Sequence, residues 1–376
     1  MLDAGCGVGV LGVAVAAASA AVRVRCQDRD ELARSYTAHN ASINHIPRGT
    51  LGAHTEALLS CPEGSRWDLI LSNVPAKAGD PVLRDFVRRS LGLLSPEGAA
   101  AVVVVAPLAD RFRSWMAEAG ARVIAEEAGA EHRVFIYGPS SPTDPCREDW
   151  AKCYLRQSGS FSMEETSYRM ETFHGIADFD QANRAVLWAA KLCVKKDFPS
   201  LLRSVGSGGR GSSILVHEPD QGHFPAWLLS LFSRLPRHTR NVQSPQDFPV
   251  PLDLVLGGRN ALALEAARRN SLTAAGPMEM APRIRTVPAV DLAFYGTAFR
   301  NAFDLVVAFP EIVPLTDRYA AQWEGLEQLL RPGGIGLFAF PSVEAERLDR
   351  KKPKGFIRQG ELKRDGFRAL AYRKEV

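Results

Sequence analysis

The chain opens Met1-Leu2-Asp3-Ala4-Gly5-Cys6-Gly7-Val8-Gly9-Val10-Leu11-Gly12 and runs on into "VAVAAASAAV" (residues 13–22). An apolar strand end, a cluster of alternate glycines and a run of small apolar residues follow one another within twenty positions. Glycines let a backbone turn sharply and approach a ligand without interference from a Cβ. A helix beginning at Val10 and running to Ala20 offers unpaired N–H donors at its start. Met1–Ala4 therefore reads as the end of a strand, and Gly5, Gly7 and Gly9 as a ligand-binding turn. Asp3 is out of place in that strand, since a position facing a packed interior rarely holds a carboxylate. It either fixes the loop or meets a cationic group of a ligand.

Outward from this turn the first third of the chain alternates. Val22–Gln27 is strand-like, Asp30–Asn40 helical, Trp67–Ser72 a strand and Pro81–Leu94 an amphipathic helix. Ala99–Ala106 is apolar enough for a buried strand, Arg111–Ala119 is a helix, and Val123–Ala128 and Arg133–Tyr137 close the region as strands. Such alternation builds a parallel sheet covered by helices. Ligands in these sheets sit at the carboxyl ends of the strands. Asp28, at the end of the second strand, stands where an acid accepts hydrogen bonds from both hydroxyls of a ribose.

Asp3-x-Gly5-x-Gly7-x-Gly9, Asp28 and "WDLILSNVP" (residues 67–75) together resemble the class I S-adenosylmethionine-dependent methyltransferases. The similarity is nearest to their small-domain group, which includes ribosomal RNA guanine-N2 methyltransferases. The resemblance implies an α/β, Rossmann-like fold: a mostly parallel twisted sheet flanked by helices, ending in an antiparallel hairpin. It implies S-adenosylmethionine as cofactor, with Asp3, Gly5, Gly7 and Gly9 around its methionine part and Asp28 at its ribose. Glu56, in "HTEALL", is then the acid near the adenine; its other reading is a solvated loop carboxylate. The family's Asn-Pro-Pro-aromatic tetrapeptide, which grips an amino group, here reads Asn73-Val74-Pro75-Ala76, and carries the catalytic expectation at Asn73, Val74 and Pro75.

That tetrapeptide suits a conjugated nitrogen, which is a poor nucleophile until its lone pair is aimed. The Asn73 side-chain oxygen and the Val74 carbonyl would accept its two N–H bonds, and a backbone carbonyl serves whether Val or Pro carries it. Much of the catalysis is then positioning. Ala76 departs further from the family, whose aromatic stacks on the target base, a contact worth about 1–3 kcal/mol. Either a base is held in another way or the acceptor is not a base. Gly7, Gly9 and Gly12 also satisfy the dinucleotide fingerprint GxGxxG, which keeps NAD(P) as a rival. Asp3 and Asn73 oppose it, because a dinucleotide domain needs neither. Asn73 also suits a turn or helix cap. Cys6 reads as packing; Lys77 and His132 are lesser catalytic candidates, and His132 also suits an edge of the last hairpin.

The pattern recurs downstream. "WDLILSN" pairs with "FDLVVAF", and Asp68 to Pro96 spans 28 positions, as does Asp304 to Pro332. "LGLLSPEGAAAVVVV" pairs with "LEQLLRPGGIGLFAF", "HRVFIY" with "FRALAY", and the helix ending in Asn40 with the one ending in Asn270. Two class I domains in tandem follow from this: residues 1–139, a linker at 140–149, and residues 150–376. The second copy has lost the ligand contacts. Gly258 stands where Asp28 does, "HEPDQGHF" keeps only Gly222, and the tetrapeptide position reads Phe309-Pro310-Glu311-Ile312. Strand-like "KCYLRQ" and "SYRMETF" and a helix within Gly175–Lys196 lead into this copy. Only Met1 and Leu2 precede Asp3 in the first, so a missing N-terminal lead-in is expected.

The whole chain of 376 residues is 46% hydrophobic and 23% charged, with a net charge of +4. This composition is globular, and the charge permits RNA as a partner without requiring it. The basic stretches are weak patches: Arg84, Arg88 and Arg89; Arg234, Arg237 and Arg240; and Arg347 to Arg364. Six cysteines without metal spacing read as reduced thiols of a cytoplasmic protein. No metal and no membrane are expected, and no oligomeric state can be read. The expected activity is methyl transfer to an exocyclic or amide nitrogen, on RNA by preference. The alternatives are a non-catalytic scaffold that keeps the fold, and a methyltransferase acting on a protein amide or a small molecule.

Overall fold

Apolar strands joined by helices with clear caps set the architecture. The computed structural model describes residues 1–19, 21–141, 148–178, 180–198, 211–234, 252–276, 282–311 and 318–375. They fall into two compact units, Met1–Leu155 with Asn260–Leu262, and Arg156–Arg259 with Ala263–Val376. Most of the expected linker, residues 142–147, lies outside the described residues, as do Arg237, Arg240 and Ile312.

The first unit runs β1 (Leu2–Ala4), α1 (Val10–Ala18), β2 (Val24–Asp28), α2 (Glu31–Ile43), β3 (Leu51–Thr55), β4 (Trp67–Asn73), α3 (Asp80–Leu93), β5 (Leu94–Val105), α4 (Ala109–Glu118), β6 (Ala121–Ala128) and β7 (His132–Pro139). Its sheet has the order β3-β2-β1-β4-β5-β7-β6. All neighbours are parallel except β7, which runs antiparallel to both β5 and β6. The order turns back at β1, whose two neighbours are β2 and β4. That reversal opens a crevice at the carboxyl ends of β1, β2 and β4. One face of the sheet packs under α3 and α4 through Ile70, Val102, Phe86, Phe112, Phe135 and Tyr137, all at most 2% exposed. The opposite face is covered by α1 over β1 and β2, where Met1, Ala16, Val24 and Cys26 pack together. α2 starts where the Asp30 carboxylate accepts the Leu32 N–H (2.9 Å), an N-cap.

Two sequence expectations change here. The strand expected at Ala99–Ala106 begins at Leu94, and alternate residues along it are only half-buried. "KCYLRQ" is not a strand throughout. Asp149 accepts the Ala151 N–H (3.1 Å) and starts a 3-10 turn at Trp150–Tyr154, so extended structure begins only at Leu155.

The second unit has β8 (Leu155–Met163), β9 (Thr166–Phe173), α5 (Arg184–Lys195), β10 (Ser212–His217), β11 (Leu252–Gly258), β12 (Arg283–Pro288), β13 (Phe303–Ala308), β14 (Leu330–Pro341), β15 (Phe356–Arg364) and β16 (Phe367–Lys374). Its seven-stranded sheet, β12-β11-β10-β13-β14-β16-β15, repeats the order of the first. α5 is shorter than Gly175–Lys196, because Asn183 caps it by accepting the Val186 N–H (2.9 Å). Among the described residues no helix is long and apolar enough to cross a membrane.

Candidate active site in the N-terminal unit

The glycine turn is tied down on every side but one. Gly5 N and Cys6 N both donate to Gln27 O (2.9 and 3.0 Å), and Gly9 N donates to Cys6 O (2.8 Å). Thr37 Oγ1 on α2 donates to Gly7 O (2.9 Å), and Asn40 Nδ2 to Val8 O (2.8 Å). Gly5, Gly7 and Gly9 all have positive φ, at 75°, 55° and 85°. At Gly9 a side chain is excluded twice: the backbone is left-handed, and a Cβ would come within 2.8 Å of Thr37 Cγ2. Nothing lies within 4 Å of the Cβ position of Gly7, which is therefore open space above the turn.

Asp3 lies beneath the turn at 1% exposure, and its Oδ2 accepts the Gly12 N–H (2.8 Å). Gly9 precedes the helix without a side-chain cap, so Asp3 does the capping from inside. Of the two roles open to it in the sequence, the structure displays the first, fixing the loop. Burial pushes the Asp3 carboxyl up to about 6, against the pull of the Gly12 bond and with a further push from Asp28. Gly12 approaches so closely that a Cβ there would run into Cys26 Sγ.

Asp28 ends β2 and braces the turn from the side. One oxygen accepts the Gly7 N–H and the other the Asp30 N–H, each at 2.9 Å. Each oxygen keeps a lone pair for a further donor. Glu56 follows β3, and one of its oxygens pairs with Arg25 Nη2 (2.8 Å). The other is buried with no hydrogen-bond partner among the described residues.

Asn73 ends β4 with its side chain exposed, beside β1 in the sheet. Val74 is 4% exposed, and its N–H donates to Val103 O (3.2 Å), which anchors the turn that carries Asn73. Pro75 and Ala76 are exposed, and Pro75 O accepts the Ala78 N–H (2.9 Å). β4 is tied to the turn below by Ser72 Oγ, which donates to Ala4 O (2.7 Å). The fold thus gathers Asp3, the glycines, Asp28 and Asn73 at the carboxyl ends of β1, β2 and β4. His132 starts β7 with its side chain exposed.

Sequence reasoning missed Thr37, Asn40 and Gln27, which hold the turn. Thr37 and Asn40 sit one helical turn apart on α2, a spacing that puts both on one face. That was the available signal.

The corresponding turn of the second unit keeps its shape with different residues. Glu218, Asp220 and Gly222 have φ of 55°, 48° and 90°. Glu218 N donates to Gly257 O (2.7 Å) and Gly222 N to Pro219 O (2.8 Å), as Gly5 and Gly9 do in the first unit. The space is filled. Tyr295 lies so close to Gly257 that a Cβ there would collide with its hydroxyl, and that hydroxyl bonds His217 Nδ1 (2.9 Å). Glu218 lies against Gly258, with one oxygen 2.9 Å from the Cβ position and the other accepting the Arg259 N–H (3.0 Å). Burial pushes Glu218 up to about 8 and Asp220 to about 7, reinforced by neighbouring carboxylates.

The sequence model of the methyltransferase small domain family matches residues 1–128. The fold of the whole chain is similar to that of a T. thermophilus 16S rRNA N2 G1207 methyltransferase, solved with AdoMet and guanosine. The match covers 100% of this chain and 87% of that one at 16% identity, with a TM-score of 0.58. A ribosomal protein L11 methylase from Lactobacillus delbrueckii subsp. bulgaricus matches over 36% of this chain and 67% of its own, at 20% identity and a TM-score of 0.32. No curated protein matches the chain. Residues 1–128 thus match the methyltransferase small domain family, and the second unit repeats the strand order of the first.

Proposed function

We propose that the N-terminal unit holds S-adenosylmethionine at the Gly5–Gly9 turn and methylates a nitrogen gripped at Asn73, with RNA as the acceptor. The observation that carries this is the open turn: left-handed glycines and the braced Asp28 beside an exposed Asn73 on the next strand but one. When bound, the cofactor supplies an electrophilic methyl group on a sulfonium. The residues present fit it. Asp28 has acceptor capacity left on both oxygens, the first turn of α1 has unpaired N–H groups, and Glu56 has one buried oxygen unsatisfied. Asn73 Oδ1 and the Val74 carbonyl orient the acceptor nitrogen, and Val74, buried and bonded to Val103, keeps that carbonyl in place.

RNA is favoured by the fold shared with the T. thermophilus enzyme. The charge pattern adds little. Arg84 pairs with Glu118, Arg88 with Asp85 and Glu148, and Arg89 with Asp85, so this stretch is neutralised within its own unit. Arg347, Arg350, Arg358 and Arg364 likewise pair with local carboxylates. Ala76 favours a second reading, a protein amide, which needs the same two acceptors and no stacking partner.

Two substitutions separate binding from chemistry. Asp28→Ala removes a charged acceptor worth about 1.5–3 kcal/mol per bond, so calorimetry should show S-adenosylmethionine affinity falling at least ~10-fold. Asn73→Ala should keep that affinity within a few-fold yet lose on the order of 100-fold in transfer of tritiated methyl to RNA. Unchanged binding in the first variant, or full transfer in the second, defeats the assignment. Label appearing in protein rather than RNA selects the amide reading.

A further inference from the structure

Helix α5 has two unlike sides. Ala185, Val186, Ala189, Ala190, Leu192 and Cys193 are at most 6% exposed and lie in the core of the second unit. Arg184, Trp188, Lys191 and Lys195 follow one another at spacings of four, three and four positions, which places them in one row along the opposite side. Arg184, Lys191 and Lys195 are exposed, and Trp188 is half-buried. The row is about 16 Å long. Lys196, also exposed, follows at its end.

From Arg184 to Lys196 the sequence has no Asp or Glu. Elsewhere in the same unit helical arginines are neutralised one turn away: Arg268 and Arg269 pair with Glu265, Arg347 with Glu344 and Arg350 with Glu346. Lys191, Lys195 and Lys196 make no ion pair among the described residues. A second element extends the cationic face. Lys191 Nζ lies 6.0 Å from the Trp188 ring centroid and Arg364 Cζ, at the end of β15, 5.7 Å from it, so two cations attend one indole. Arg184 Nη1 donates to Asp365 O (3.1 Å), which ties the start of α5 to the turn between β15 and β16. At the other end the Lys196 stem lies over Gly360 of β15, 2.7 Å from its Cβ position. The carboxylates at the margin are Asp365, beside Arg364, and Asp197.

We propose that this face of α5, together with Arg364, is a docking surface for the phosphate backbone of RNA. A row of cations without partners attracts a polyanion, and each phosphate contact releases counterions. The Trp188 indole holds Lys191 and Arg364 near each other before any ligand arrives. A membrane fits less well, because a helix lying on lipid inserts its apolar side, and that of α5 is already packed in the core. A protein partner would ask for an apolar centre, and of the large apolar side chains on α5 only Val194 is exposed. The three lysines lie in none of the basic stretches that local carboxylates neutralise. The choice of RNA as the occupant rests on the acceptor proposed above.

The test measures binding without the cofactor, by fluorescence anisotropy of a labelled single-stranded RNA over a range of salt. Lys191→Gln with Lys195→Gln, made in the full chain, should weaken binding at least ~10-fold at low salt and reduce the slope of log affinity against log salt by about 1.4. Lys191→Arg with Lys195→Arg should bind as the parent does, which separates charge from folding. Arg347→Gln with Arg350→Gln removes the same net charge at paired positions and should leave affinity within about twofold. A parent chain that binds no RNA, unchanged affinity in the Lys→Gln variant, or equal loss in the two Gln variants overturns the proposal. Weaker binding of the Lys→Gln variant to phosphatidylserine vesicles, with its RNA affinity kept, also overturns it and assigns the face to a membrane. The acceptor is judged separately, by where tritiated methyl appears. Label in RNA with unchanged RNA affinity in the Lys→Gln variant refutes the docking surface alone, and label in protein with that affinity lost refutes the acceptor alone.

Discussion

At the scale of single residues, Asp3 is the most exacting part of the site. Its carboxylate does the work of a helix cap from a position where charge is costly. With its pKa raised from 3.8 to about 6, the folded state binds the proton more tightly than the unfolded chain does. Its contribution is therefore most favourable below about pH 4 and is lost as the pH climbs through 6, a swing on the order of 3 kcal/mol. Asp3→Asn keeps an oxygen for the Gly12 N–H and removes the charge. Urea unfolding of this variant should match the parent at pH 4 and exceed it in stability at pH 7. A variant less stable than the parent at both values would show that the charge itself holds the turn.

Among the elements, α1 shows how packing overrules propensity. Gly12 lies in the first turn of a helix, where alanine ordinarily gains up to about 1 kcal/mol. Here a Cβ would run into Cys26 Sγ and lie 3.1 Å from Asp3 Oδ2. Overpacking of this kind costs about 1–3 kcal/mol, so it wins. Gly12→Ala should lower stability by about 1–2 kcal/mol in urea melts, and Cys26→Ala in the same chain should restore most of the loss. An additive double variant would mean that the helix, rather than the contact with β2, sets the cost.

Across the whole molecule, two units share one strand order and one loop backbone but differ in what fills the loop. The second turn holds Glu218 and Asp220 in left-handed conformations that glycine adopts freely, at about 1–2 kcal/mol each. Tyr295 and Glu218 occupy the space that the first unit leaves open. Titration should therefore give one S-adenosylmethionine per chain, weakened at least ~10-fold by Asp28→Ala and indifferent to Tyr295→Phe. Two sites per chain would show that these side chains move aside.

The sequence was enough for the alternation of strands and helices and for the tandem repeat, which follow from local pattern: period-two and helical runs, and identical spacing in the two halves. The strand order, and β3 within it, needed the folded structure. That Asp3, the glycines, Asp28 and Asn73 meet was implied by the family resemblance. What surrounds a side chain is not local. Whether Asp3 caps a helix, whether Glu56 is paired with Arg25 and whether Arg84, Arg88 and Arg89 are free for phosphate depend on residues distant in sequence. So does what occupies the second turn. "HEPDQGHF" shows the glycines gone, yet only tertiary packing shows that the loop kept its shape and that Tyr295, from another segment, filled it. The apolar pattern of β5 likewise suits burial on both faces, and only the folded structure shows that, among the described residues, one of them is half-buried.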